Sequence, residues 1–96
     1  MTMTEPRESA TVTESARVAI VTTFHGQTSH RPNRVSVRRA DGGGPRLVIS
    51  WNHDIGTMAN HAAAVMEYVT MMNWGGTWAV GATTTGAVAT WAGPAI

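Results

Sequence analysis

The sequence predicts an α+β fold: an antiparallel sheet in β-β-β-α-β-β order with one amphipathic helix packed on one face. Three observations predict it. Apolar residues alternate with polar ones over residues 34–39 and 46–51, on either side of a glycine-rich turn. Between residues 55 and 72 the apolar spacing changes to three and four. Beyond Gly75-Gly76 the chain returns to short β-type runs.

Taken in order, residues 1–16 hold mostly Thr, Glu, Ser, Arg and Pro, and are expected to form a disordered tail. The single domain is expected over residues 17–96. Its first strand covers residues 17–24, carried by Val18-Ala19-Ile20-Val21. A polar loop follows, with Pro32 excluding a central strand there. Val35 and Val37 then face one way, and Arg34, Ser36 and Arg38 the other. Asp41-Gly42-Gly43-Gly44-Pro45 marks a turn. Leu47, Ile49 and Trp51 share one face, with Arg46, Val48 and Ser50 opposite, so these two strands form a hairpin. The helix follows, capped by Asp54 or Thr57, with Ile55, Met58, Ala62, Val65, Val69 and Met72 as its apolar stripe. Gly75-Gly76 stops it. Residues 77–82 and 87–91 form the last hairpin around Thr83-Thr84-Thr85-Gly86.

Composition narrows the function classes. There is no cysteine, which removes disulfides, Cys-based zinc sites and thiol chemistry. No run approaches the roughly 18 apolar residues of a membrane span, and the start of the chain lacks an apolar h-region. A cytoplasmic location is expected, in the host cytoplasm if the chain is phage-encoded. Net charge is only +1, but its distribution is uneven. All seven basic residues are arginine, and five of them (Arg31, Arg34, Arg38, Arg39 and Arg46) fall in sixteen residues opposed only by Asp41.

Catalytic and metal patterns are weak. His25 and His30, and His53 and His61, have no metal-ligand spacing on a helix and no cysteine partner. Ser50, His53 and Asp54 are near in sequence, which does not make them converge in space. Paired-carboxylate, phosphate-loop and nucleophile-elbow motifs are absent. The expectation is a non-enzymatic protein without cofactor or metal. Trp51, Trp74, Trp78 and Trp91 could stack on bases, but their phase with apolar faces reads as core or interface.

Two segments remain as candidate sites. Thr28, His30, Arg31, Asn33 and Arg34, extended by Arg38, gather groups suited to phosphate oxygens or carboxylates. The bland alternative is a solvated loop satisfying its own turns. The second segment is the helix side opposite the apolar stripe, where Asn60, Ala64, Glu67 and Met71 stand with His61 and Tyr68 on a flank. Its sparse charge fits an alanine-rich helix from a GC-rich genome, or equally a second buried face, most simply a homodimer contact.

Gly26, Thr28, Arg31, Arg34 and Val35 match a Gly-Pro-Thr-Asn-Thr-Arg-Gly-Ser-Arg-Ile pattern, from which Ser29, His30, Pro32 and Asn33 depart. Trp51 and His53, Asn60-His61, Trp74-Gly75 and Gly81-Ala82-Thr83-Thr84-Thr85-Gly86 follow it in order. Over about residues 17–92 the chain thus resembles a family of small uncharacterised phage, plasmid and bacterial proteins. The resemblance implies a phage or mobile-element setting and no assigned activity. Two partner classes follow as expectations. One is nucleic acid, or another phosphate-bearing ligand, at the arginine-rich loop and hairpin. The other is a host protein, such as a defence or replication enzyme, bound by a homodimer. A metal- or nucleotide-binding domain using the histidines is the third reading.

Overall fold

The structure is a computed structural model that describes residues 10 and 12–93. The expected tail falls partly outside these residues. Residues 12–16 are exposed, outside any strand or helix, and the Ser15 hydroxyl donates to the Trp91 carbonyl at 3.2 Å.

The element order is the expected one: β1 (Ile20–His25), β2 (Arg34–Arg39), β3 (Leu47–Ser50), α1 (Thr57–Met71), β4 (Trp78–Ala82) and β5 (Gly86–Trp91). The strands form one five-stranded sheet in the order β3-β2-β1-β5-β4, antiparallel throughout. The helix crosses from one edge strand to the other and packs on β1, β2 and β5. In register, Ile20, Thr22, Val35, Val37, Leu47, Ile49, Ala87 and Ala89 share the face toward α1. The opposite face has no element packed on it among the described residues.

The helix lies differently from the expectation drawn from its apolar spacing. Its buried residues are Asn60, His61, Ala64, Val65, Tyr68 and Val69. Asn60 and Ala64, expected on the outward side, and His61 and Tyr68, expected on its flank, are therefore core residues. Ala62 faces solvent, and Ile55 and Met58 are exposed. Glu67 and Met71 do lie outward.

The physical reason is that the three polar side chains find internal partners, which removes the cost of burying them. The Tyr68 hydroxyl donates to the Pro45 carbonyl at 2.8 Å, tying the helix to the β2–β3 turn. His61 Nδ1 and Thr22 Oγ1 share a hydrogen bond of 2.7 Å. Asn60 Nδ2 donates to the carbonyls of Asn52 and Gly56, both at 3.0 Å, while its Oδ1 accepts the Asn52 N–H at 2.8 Å. Hydropathy places such residues outside. The sheet accepts them because they arrive already paired.

Both helix ends are also corrected. Gly56 is the N-cap and makes no side-chain cap bond, so neither Asp54 nor Thr57 caps. Asn60, inside the first turn, ties the incoming loop instead. At the other end Asn73 takes the left-handed conformation (φ 59°), ahead of the two glycines. The Trp74 N–H donates to Val69 O at 2.9 Å and the Asn73 N–H to Thr70 O at 3.1 Å, which is a Schellman ending.

Gly86 sets how closely β5 approaches β1. A Cβ there would stand 2.0 Å from the Thr22 carbonyl oxygen, whereas a Cβ at Gly81 in β4 would meet nothing within 4 Å. Gly86→Ala should destabilise the fold by about 2 kcal/mol through backbone displacement. Gly81→Ala should leave stability within about 0.5 kcal/mol. Urea denaturation of the two variants compares them, and equal midpoints would contradict the packing described.

Candidate nucleic-acid interface

The alternation of β2 directs Arg34, Ser36 and Arg38 to the sheet face that α1 leaves open. Val21, Thr23 and His25 of β1 lie directly beside them, as do Val48 and Ser50 of β3. Arg46 precedes Leu47 and shares the phase of Val48.

Two observations bind these groups into one site. His25 Nε2 and the Ser36 hydroxyl share a hydrogen bond of 2.8 Å across the β1–β2 ladder. The His25 imidazole is also held below its ordinary proton affinity, first by desolvation and then by the charges of Arg34, Arg46 and Arg31. The charges of all three guanidinium groups are thus felt at one histidine.

Arg39 is the exception among the five clustered arginines. It faces the helix side, and its Nε and Nη2 donate to the Asp41 carboxylate at 3.1 and 2.6 Å. That pairing holds the Asp41 carboxyl below the usual carboxylate range. Among the described residues it is the only salt bridge. The acid that opposes the cluster in sequence is thus used on Arg39. Arg31, Arg34, Arg38 and Arg46 keep their charge without a carboxylate partner among the described residues.

The expected loop site divides. Arg34 lies beside His25, where the charge of Arg31 is also felt, and Arg38 continues along the same face. Thr28 braces the loop: its Oγ1 accepts the N–H groups of His30 and Arg31 at 3.3 and 3.0 Å, and its own N–H donates to Arg31 O at 2.8 Å, which leaves its O–H proton for donation. That closed turn is what a self-satisfied loop does. Asn33 contributes a backbone carbonyl to the Trp51 N–H at 3.1 Å. His30 is exposed in the loop. The Arg34 guanidinium leans back on the Pro32 carbonyl at 3.2 Å, and that of Arg38 on the Arg39 carbonyl at 3.3 Å.

His25, Ser36 and Arg46 belong to the face although sequence reasoning left them out of the candidate site. The signal was present in the alternation of Arg46, Val48 and Ser50 against Leu47, Ile49 and Trp51. Pairing that pattern with β2 places Arg46 level with Arg38, on the face that also carries Arg34.

The four histidines do not meet. His25 lies on the open face and His61 beneath the helix, on opposite sides of the sheet. Among the described residues no group of three His, Asp or Glu side chains could hold a metal ion. Nor is any helix of the described residues long and apolar enough to cross a membrane. Comparison with protein-family models, curated proteins and solved structures finds no match to this chain.

The two perturbed imidazoles predict how stability varies with pH. His25 and His61 both have proton affinity lowered from the ordinary 6.5, in each case chiefly by burial. In the unfolded chain they gain protons as pH falls through about 6.5, while the folded protein resists. The contribution to stability is full above that pH and is lost as pH falls toward the folded-state values. Urea midpoints should therefore be lower at about pH 5.5 than at about pH 7.5, and His25→Asn should shrink the difference.

Proposed function

We propose that this protein is a non-enzymatic nucleic-acid-binding accessory protein that docks phosphates on the open face of its sheet. One observation carries the reading: Arg34, Arg38 and Arg46 share that face, with Arg31 at its end, and none has a carboxylate partner among the described residues. A flat strand surface holding several guanidinium groups suits a phosphate backbone, because each group offers forked, charge-assisted bonds without needing a particular base. Thr23 adds a half-buried hydroxyl to the same face.

A second reading rests on the outer helix surface. Met66 is 64% exposed and Met71 46% exposed there, and Glu67 is the only charged residue of α1. Exposed methionines on a weakly charged face favour contact with a protein, either a host enzyme or a second copy of the chain. Met66→Lys tests it. Loss of dimer mass in light scattering supports the homodimer, and a monomer mass before substitution removes it.

For the first reading, fluorescence anisotropy with labelled single-stranded and duplex DNA or RNA measures affinity against salt. Binding should weaken as salt rises. The variant carrying both Arg34→Ala and Arg38→Ala should bind more weakly, with the single-strand salt slope reduced by about 1.4, or about 0.7 for each phosphate that is no longer neutralised. Arg17→Gln removes the same kind of charge from the Trp74 and Trp91 end of the helix-side layer and should leave the slope unchanged. No binding to any probe at micromolar protein and low salt would overturn the proposal.

A further inference from the structure

The two edges of the sheet differ in how they meet a further strand. β3 is four residues long and is entered through Pro45 and Arg46, features that discourage another strand from adding to it. β4 is the other edge, and among the described residues no strand pairs with its outer side. Residues 68–96 contain no Asp, Glu, Arg, Lys or His, so neither β4 nor β5 carries a charge that turns a strand away. Nor does β4 hold a proline or a bulge: its register with β5 is unbroken from Trp78 to Ala82.

The phase of the β4–β5 ladder decides which backbone groups are left over. The Ala92 N–H donates to the Thr77 carbonyl at 2.6 Å, and the Thr83 N–H to the Gly86 carbonyl at 2.9 Å. Inward-pointing residues alternate with outward-pointing ones, so Ala79 and Gly81 also address β5. The N–H and C=O groups of Trp78, Val80 and Ala82 then point to the open edge. The side chains of those three residues share the helix side with Ala87 and Ala89. The helix packs on β1, β2 and β5, and a groove of about 400 Å³ runs between it and β4. Met66, Thr70, Trp74, Trp78 and Val80 line that groove.

We propose that β4 is a homodimer edge, where two copies of the chain pair antiparallel about a two-fold axis at Val80 and join their sheets. The register follows from the free groups. Val80 of one copy bonds Val80 of the other, and Trp78 of each bonds Ala82 of the other, so every outward N–H and C=O of the strand finds a partner. The side chains fit the same register. On the helix side the large Trp78 lies opposite the small Ala82, and on the open face Ala79 lies opposite Gly81. Directly opposed residues share a face, so both helices lie on one side of the joined sheet. Each copy's Trp78 and Val80 then close the open flank of the other's groove, beside Met66. The occupant is a second copy because the edge has no charge by which to select a foreign strand, whereas its own two-fold repeat uses all its free groups. β2 stands three strands away, so the basic face stays clear. The proposal rests on the second-copy reading of the outer helix surface and gives it a defined contact.

Light scattering behind gel filtration tests the edge. Loaded at about 100 µM, the parent should run at twice the 10.2 kDa of one chain. The variant carrying both Ala79→Lys and Gly81→Lys sets like charges opposite each other across the axis and should run as a monomer. Both positions are exposed, and a Cβ at Gly81 meets nothing within 4 Å, so its thermal melt should show an intact fold. The variant carrying both Ala79→Glu and Gly81→Glu should also be monomeric, and mixing the two variants should restore the dimer mass. The chain has no cysteine, which allows a second readout. Val80→Cys brings two thiols together at the axis, with Cα atoms about 5.5 Å apart, and should oxidise to a covalent dimer. Thr84→Cys, in the β4–β5 turn, should not. A parent that is monomeric at about 100 µM overturns both the edge and the second-copy reading. A dimer that survives the paired lysines but is lost with Met66→Lys overturns the edge alone and leaves the outer helix surface as the contact. A covalent dimer from Thr84→Cys with none from Val80→Cys overturns the register.

Discussion

The hydrogen bond between Thr22 and His61 is the contact on which the layout of this small domain turns. Thr22 is the fully buried centre of the central strand, and His61 is nearly as buried on the helix above it. Neither side chain belongs in an apolar core by itself, and each satisfies the other. Asn60 and Tyr68 extend the seam in both directions, one to the loop before the helix and the other to the turn before β3. Three directional bonds along one helix stripe fix its rotation about its own axis, which alanine and valine packing would leave loosely specified. Once α1 is committed to that face, the reverse face is left to solvent or to a partner.

The charge distribution follows from this division. Arg39 has the helix-side phase of β2 and takes Asp41, the single acid of the hairpin turn, into a two-point ion pair. The arginines of the opposite phase have no such partner among the described residues, and their charges are felt together at His25. Strand alternation has thus sorted one mixed sequence into a neutralised side and a basic side. Opposing acid and cluster in sequence therefore understates the positive field on the open face.

Much of the fold was legible because β alternation is a two-state pattern. Val35, Val37, Leu47 and Ile49 fall inside, and Arg34 and Arg38 outside, with a hairpin between them. The helix was legible as an element but not in its rotation. Ile55, Met58 and Ala62 form a better apolar stripe than Asn60, His61 and Tyr68, and only the location of Thr22, Pro45 and Asn52 reverses that preference. Those partners lie eight to thirty-nine residues away, so local periodicity does not contain them. The same limit applies to Thr28, whose hydroxyl oxygen braces the loop by accepting two N–H groups. It applies equally to His25, which became part of the basic face when β1 was placed beside β2.

The most direct test of the basic face is to map the binding surface by NMR, titrating labelled protein with a short single-stranded oligonucleotide. Shifts are expected along one phase of the strands, at Val21, Thr23, His25, Arg34, Ser36, Arg38 and Val48, continuing into the loop at Arg31. The outer helix positions Glu67, Thr70 and Met71 should stay unmoved. Shifts gathered on that outer helix surface, with the strand residues silent, would contradict a phosphate-docking sheet.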